Sequence, residues 1–379
     1  MPSQQIAFDA GLLRRYDRPG PRYTSYPTAP QFSADFGEAA LREVARASNG
    51  DPIPRPLSLY VHVPFCFSPC FYCGCNRIIT RDLARGRAYL DAAGPRDRAG
   101  GAAVRPRSRG DPAALRRRHA ELPRRRRSCA AWSRPCARIP LRRQRRPRHL
   151  DRTRPALLNP DDMPALAAAG FNRASLGVQD FDPKVQAAVN RIQGVEETRA
   201  IVDACRHGMR SVNIDLIYGL PEAEPGRIPQ DAGHGGGDAP RPAGGLQLCA
   251  PAALFKPQTQ IDDALLPDPD TKLALLQAAI EHLTAAGYVY IGMDHFALPD
   301  DELAVAQARG GLHRNFMGYT THADSDLVGL GVSAISHIGG SFSQNPRDLP
   351  ELGDGARRRP AAGVPRHAHG PRTTSCAPT

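Results

Sequence analysis

Residues 57–76 read Leu57-Ser58-Leu59-Tyr60-Val61-His62-Val63-Pro64-Phe65-Cys66-Phe67-Ser68-Pro69-Cys70-Phe71-Tyr72-Cys73-Gly74-Cys75-Asn76, and this stretch decides the fold. Its first seven residues form an apolar run with β-branched and aromatic side chains, which is the composition of a strand. Cys66, Cys70 and Cys73 follow directly, spaced Cys-x-x-x-Cys-x-x-Cys. Three thiolates so close together can wrap one face of a cubane iron–sulfur cluster, ligating three irons and leaving the fourth open. An open iron serves substrate or cofactor chemistry, whereas four protein ligands favour simple electron transfer. A loop that follows a strand lies at the carboxyl end of its sheet, where barrels keep their active sites. The alternative is zinc, which wants four ligands, usually as two Cys-x-x-Cys pairs. Cys75 would complete such a set only by crowding against Cys73.

Outward from this loop, residues 174–178, 212–218 and 288–293 read as further strands. Residues 195–207 carry Ile201, Val202 and Cys205 on one helical face and stop at Gly208. Cys205 is expected there as a small buried hydrophobe. Asp270 is expected to cap a helix running to residue 286, with Leu273, Leu276, Ile280 and Leu283 at helical spacing. Strands alternating with helices argue for an α/β fold on a parallel sheet, open or closed into a barrel.

The chain has 379 residues, 41% of them hydrophobic, enough for one large domain or two ordinary ones. Its nine cysteines point to metal or catalysis in a reducing compartment more than to disulfides. No apolar window has the length of a membrane span, and the first residues lack the regions of a signal peptide. The chain is therefore expected to be cytoplasmic, with no membrane partner. The formal charge of +12 invites a nucleic-acid partner, but residues 93–157 alone hold 21 Arg against 4 Asp or Glu, a net of +17 that leaves −5 for the rest. Trp132 is the one aromatic residue in that window, whereas a folded basic surface interleaves Arg with aromatic and apolar residues. Nucleic-acid binding is therefore not expected. Residues 93–157, 227–253 and 349–379 share a composition of Arg, Pro, Gly and Ala with little periodicity. They read as translation of a GC-rich gene out of frame, or as disordered linkers and tail. On either reading residues 93–157 are expected to supply no regular strands, because their Arg runs would have to be buried.

The cysteine spacing is the signature of radical S-adenosylmethionine (SAM) enzymes, with Tyr72 in the aromatic position before its last cysteine. The flanking residues narrow the resemblance to the oxygen-independent coproporphyrinogen III oxidases, also called coproporphyrinogen dehydrogenases. Beside Tyr60-Val61-His62-Val63 and Pro64-Phe65-Cys66 stand Gly20-Pro21-Arg22-Tyr23-Thr24-Ser25-Tyr26-Pro27-Thr28, Gly177-Val178-Gln179-Asp180-Phe181 and Asn213-Ile214-Asp215-Leu216-Ile217-Tyr218-Gly219-Leu220-Pro221. Further on come Gly292-Met293-Asp294-His295-Phe296, His313-Arg314-Asn315-Phe316, Gly318-Tyr319-Thr320-Thr321 and Gly331-Val332-Ser333-Ala334-Ile335-Ser336. The matches stand in family order and break in the three windows.

The resemblance implies a partial (β/α) barrel of the radical SAM type, interrupted by the irregular windows and lacking most of a C-terminal helical domain. It divides the chain into an N-terminal substrate-covering arm at 1–50, a radical SAM barrel at 51–348 and an aberrant tail at 349–379. A 4Fe–4S cluster on Cys66, Cys70 and Cys73 would bind SAM and cleave it to a deoxyadenosyl radical. That radical would take hydrogen from substrate propionates, and loss of carbon dioxide would leave vinyl groups, converting coproporphyrinogen III to protoporphyrinogen IX. Tyr60, Tyr72, Gln179, Arg191, Asp215 and Ile335 are implied cofactor contacts, shared between two SAM molecules, with Phe316 in a loop nearby. Cys75 is not expected to bind iron. Arg22 and Arg314 would suit substrate carboxylates or structural ion pairs alike. The implied partners are the porphyrinogen substrate and a reduced electron-donor protein, and the chain is expected to be a monomer. A Gly-Gly-Gly-Thr-Pro strand end and a later Glu, both expected within 93–157, are missing, and Gly235-Gly236-Gly237 is not their substitute. Two rivals remain: a haem-chaperone paralogue, which lacks the Arg22-Tyr23-Thr24-Ser25-Tyr26-Pro27 arm, and an inactive frameshifted fragment.

Overall fold

Strand-forming segments recur along the chain, and most of those described enter one sheet. The computed structural model describes residues 8–16, 28–33, 36–53, 55–82, 84–86, 88–89, 115–118, 148–168, 170–225, 243–247, 256–349 and 366–369. At 115–118, 148–153, 243–247 and 366–369 it describes backbone pairing alone. In chain order the strands are β1 (Leu57–His62), β2 (Phe65–Cys66), β3 (Ile78–Ile79), β4 (Leu115–Arg118), β5 (Arg148–Thr153), β6 (Arg173–Gln179), β7 (Ser211–Tyr218) and β8 (Ala243–Gln247). There follow β9 (Val289–Gly292), β10 (His295–Ala297), β11 (His313–Asn315), β12 (Gly318–Thr320), β13 (Asp326–Leu330), β14 (Ile335–Ile338), β15 (Ser341–Gln344) and β16 (Arg366–His369).

Twelve of these form one sheet in the order β16-β15-β14-β13-β1-β4-β5-β6-β7-β8-β10-β9. Every pair from β13 to β8 is parallel, and antiparallel strands extend both edges. No ladder among the described residues joins β16 to β9, so the sheet is open in its pairing. The fold is mixed α/β.

Side-chain alternation sorts the sheet into two faces. On one face Leu57, Leu59 and Val61 of β1, Ala174, Leu176 and Val178 of β6, Val212 and Ile214 of β7, and Val328 of β13 meet the helices. Helix Val195–Arg206 contributes Ile201, Val202 and Cys205, helix Met163–Ala168 contributes Met163 and Leu166, and helix Glu38–Gly50 contributes Ala45. The intervening residues, Tyr60 and His62 in β1, Ser175 and Gly177 in β6, and Asn213 and Asp215 in β7, lie on the other face. The register keeps them level, with Ser175 opposite Asn213 and Gly177 opposite Asp215. Gly331 (φ 90°) closes this arrangement beside β1: a Cβ there would stand 2.2 Å from Tyr89 Oη, which donates to His62 O at 2.8 Å.

Several expectations are corrected by the structure. Residues 93–157 supply two strands, β4 and β5, which pair in parallel between β1 and β6. The physical reason is that a parallel ladder is made by backbone N–H and C=O, which every residue but proline carries. Without β4 and β5, one edge each of β1 and β6 would be left unpaired. The windows at 227–253 and 349–379 likewise contribute β8 and β16. Beyond β5 the end of the window is structured as well, since Pro155 is buried in a short turn of helix at Pro155–Leu157. The long helix is capped by Asp268, whose carboxylate accepts from Thr271 N at 2.8 Å, and spans Pro269–Ala285. Asp270 instead pairs with Arg14 at 2.8 Å on the surface. Leu275, not Leu273, is buried with Ile280 and Leu283 in that helix. Cys205 is fully buried, as read. The Arg22–Pro27 arm, the Gly235-Gly236-Gly237 run and most of residues 93–147 lie outside the described residues.

Candidate active site

The cysteine loop leaves the carboxyl end of β1 and returns through β3. Phe65 and Cys66 of β2 pair with Ile78 and Ile79, and Cys66 O accepts from Thr80 N at 2.9 Å. Two side chains from distant segments and one from the loop itself hold carbonyls between. Asn190 Nδ2 donates to Pro69 O at 2.7 Å, Gln258 Nε2 to Tyr72 O at 2.9 Å, and Arg77 Nη1 to Cys73 O at 2.7 Å. Cys70 O accepts from Cys73 N at 3.1 Å, and Phe71 N donates to Val189 O at 3.0 Å.

His62 links this loop to Tyr60. Asn76 O can only accept, so His62 Nε2 donates to it at 3.0 Å. In the neutral ring Nδ1 then accepts from the Tyr60 hydroxyl at 2.8 Å. Tyr60 is buried and packs with Met317, Leu327 and Ala334, with Phe316 against the same group.

Arg191 joins the loop to the end of β6. It is buried, its Nη1 donates to Cys70 Sγ at 3.5 Å, and its Nη2 donates to Gly177 O. Beside that carbonyl, Gln179 adopts a left-handed φ of 74°, and the β6–β7 register slips between Gly177 and Gln179. Such a backbone costs on the order of 1–3 kcal/mol for a residue other than glycine and collects at functional sites. Gln179 Oε1 is buried without a hydrogen-bond partner. Asp215, also buried, accepts from Ser175 Oγ at 3.0 Å and from Asn213 Nδ2 at 2.7 Å.

Tyr72 lies against Val185, Val189, Ile217 and Leu220. Burial lifts its phenol well above the usual value, opposed by Arg191 and reinforced by Cys70 and Cys73. The Cys73 thiol is also raised, first by a hydrogen bond with Cys75 and then by burial. Both directions describe the metal-free chain. Among the described residues no three His, Cys, Asp or Glu side chains form a ready metal cage. The residues fit a cluster and its cofactor: three thiols on an anchored loop, an arginine on one sulfur, and an orphan amide oxygen at the adjoining strand end.

The structure thus brings Cys70, Tyr72 and Arg191 into one group at the carboxyl ends of β1 and β6, with Tyr60 linked to the loop through His62. Asp215 stands level with Gly177 on the same face. Ile335 is buried in β14, its backbone beside Gly329, which pairs with Tyr60. Sequence reasoning missed the loop's supports, Asn190, Gln258 and Arg154. Arg154 Nη1 donates to Ser68 Oγ at 3.0 Å and Nη2 to Ile192 O at 2.7 Å, tying the cysteine loop to the Arg191 segment. Nothing in the sequence sets this arginine apart from the others of its window.

The profile of the Radical SAM superfamily matches residues 60–231. Oxygen-independent coproporphyrinogen III oxidase of Escherichia coli (strain K12) is 44% identical over 360 residues, covering 93% of this chain and 76% of that protein. Its counterpart in Pseudomonas aeruginosa is 44% identical over 365 residues, covering 91% and 75%. Among solved structures, coproporphyrinogen III oxidase (HemN) from Escherichia coli, described as a radical SAM enzyme, superposes with a TM-score of 0.85 at 38% identity, covering 97% of this chain and 81% of that one.

Proposed function

The chain belongs to the oxygen-independent coproporphyrinogen III oxidases of the radical SAM superfamily, and we propose that it oxidatively decarboxylates two propionates of coproporphyrinogen III to vinyl groups, giving protoporphyrinogen IX. It is an oxidoreductase of haem biosynthesis. When bound, a 4Fe–4S cluster and SAM supply the one-electron chemistry that removes hydrogen from an unactivated carbon, which no side chain can do. Cys66, Cys70 and Cys73 would hold that cluster.

The chain's own residues position and enclose. Arg191 places a guanidinium on Cys70 Sγ and braces it against Gly177 O. Gln179 offers its free amide oxygen, and Asp215 a carboxylate held by Ser175 and Asn213, to the hydroxyl and amino groups of the cofactor. Tyr60 and Tyr72 flank the loop, each packed among apolar side chains. The observation that carries the reading is this group of Cys70, Tyr72 and Arg191 beside the strained Gln179.

Two SAM molecules, with Ile335 packing against one of them, belong to the same reading. So do a reduced electron-donor protein, a monomeric state, a cytoplasmic location and a sheet curved as a partial (β/α) barrel. Their support is the family resemblance. No helix among the described residues is long and apolar enough to cross a membrane. The test is anaerobic turnover: given SAM, a reductant and an electron acceptor, the chain should release carbon dioxide from coproporphyrinogen III. Haem binding without carbon dioxide release would assign it to the chaperone paralogue instead.

A further inference from the structure

Among the described residues Arg314 is a cation without a counter-ion. It sits in the hairpin of β11 and β12, directly opposite Tyr319 in register. Its guanidinium carbon lies over the Tyr319 ring, 4.9 Å from the centroid. Nε and Nη1 are both buried and have no hydrogen-bond partner. The side chain as a whole is half-buried, so the group is closed on one side and open on another. The contrast with Arg173 is direct: that buried arginine is paired with Glu302 at 2.5 Å. Two unmatched charged donors in one buried guanidinium cost more than a neutral orphan, itself worth about 1–3 kcal/mol. A native structure that retains such a group meets it with an ordered water, an ion or a ligand.

The ring beneath Arg314 is held from two further directions. His295 meets Tyr319 edge-on, with ring centroids 5.0 Å apart. Gly292, at φ 113°, approaches so closely that a Cβ would lie 3.1 Å from Tyr319 Oη. The Gly292-Met293-Asp294-His295 turn thereby seats the tyrosine, and the tyrosine seats the guanidinium. On its other side the hairpin is joined to the cysteine-loop strand, since Phe316 and Met317 pack with Tyr60. The cation therefore stands on an element in contact with the site.

Resting on the function proposed above, we propose that Arg314 anchors the substrate by binding a propionate carboxylate. A guanidinium presents paired N–H donors in a planar fork that matches a carboxylate, and an aromatic platform keeps that fork flat. The ligand class is a carboxylate on an apolar macrocycle, and Arg314 acts in positioning and specificity, not in the chemistry.

The test is equilibrium binding of coproporphyrin III, the stable oxidised form of the substrate, to the full chain by fluorescence. Its tetramethyl ester is measured beside it in the same detergent-containing buffer. The wild-type chain should bind the free acid more tightly than the ester. Arg314→Gln should weaken binding of the acid about ten- to a hundred-fold and leave the ester within about two-fold. Arg314→Lys keeps the charge without the fork and should lose a smaller part, again for the acid alone. It also serves where Arg314→Gln fails to fold. If the variants weaken acid and ester equally, or change neither, Arg314 is a structural cation on Tyr319 and the anchor is wrong. A wild-type chain that turns over coproporphyrinogen III yet binds acid and ester alike overturns the anchor and leaves the family reaction standing. A chain that binds the acid selectively through Arg314, holds its cluster and releases no carbon dioxide overturns the reaction and leaves the anchor standing.

Discussion

Two pairs of neighbouring strands in this sheet, β6–β7 and β4–β5, make the same kind of parallel ladder from unlike sequences. In β6 and β7, Ala174, Leu176, Val178, Val212 and Ile214 fill the helix-facing core, while Ser175, Gly177, Asn213 and Asp215 form the opposite face. In β4 and β5 the paired residues are Leu115 with Arg148, Arg116 with His149, Arg117 with Leu150 and Arg118 with Asp151, and no alternation sorts them. The difference separates two jobs of a strand. Hydrogen bonding needs only backbone, so either pair can continue the sheet. Covering a core and presenting chemistry need side chains of alternating kind, and those are read only in β6 and β7. On this ground we propose that β4 and β5 complete the sheet by backbone pairing, and that Arg154, just beyond β5, is the residue of this window that reaches the site.

The largest effect expected under this division is at the cysteine loop. Cys66→Ala, Cys70→Ala or Cys73→Ala should abolish the brown cluster of about four irons per chain and all turnover, whereas Cys75→Ala should retain both. Iron analysis and visible absorption after anaerobic purification decide it. A Cys75 as necessary for metal as the other three would mean a closed four-ligand site and no open iron.

Next comes the core beneath the site. Leu176 is wholly buried among Val178, Val212 and Ile201. Leu176→Ala should cost about 2–5 kcal/mol, read from the denaturant midpoint. A loss below about 1 kcal/mol would put β6 on the same footing as β4 and erase the comparison.

The third prediction exchanges the weaker pair. Replacing residues 93–157 with the corresponding segment of the Escherichia coli relative should raise the melting temperature by about 5 °C or more, because core-facing apolar residues would then back the ladder. An unchanged or lower melting temperature would show that the Arg-rich window already packs as well as a family segment does.

The smallest effect on stability is expected at Gln179. Glycine adopts its φ of 74° freely, so relief of strain should offset glycine's extra chain entropy. Gln179→Gly should stay within about 1 kcal/mol of wild-type stability while binding SAM more weakly, as measured by calorimetry. A large loss of stability with SAM binding intact would make Gln179 a packing residue.

Much of the site was legible because its signals are local in the chain. The spacing of Cys66, Cys70 and Cys73 after an apolar run announces a ligand loop at a strand end, and the patterns at 195–207 and 212–218 announce the helix and strand beside it. Arg191, Gln179 and Asp215 were named by resemblance, and the structure supplies the contacts they make. Asn190, Gln258 and Arg154 were not legible. Each grips a loop carbonyl or hydroxyl far away in sequence, 121 residues for Asn190 to Pro69 and 186 for Gln258 to Tyr72. The cap at Asp268 was misread as Asp270 because both are aspartates ahead of the same apolar stripe, and only backbone geometry shows which one meets Thr271 N.

The sequence determined the alternation of strands and helices and the ligand loop, because periodicity and spacing are properties of neighbouring residues, and its resemblance over many ordered motifs pointed to the family. The tertiary structure alone decided that β4 and β5 fill the gap between β1 and β6, that Arg191 reaches Cys70, and that Arg314 lies on Tyr319 with no counter-ion among the described residues. The reason is physical. A ladder edge must be paired whatever side chains the pairing segment carries, and a partner across the sheet is chosen by where the chain is brought, not by what stands next to it.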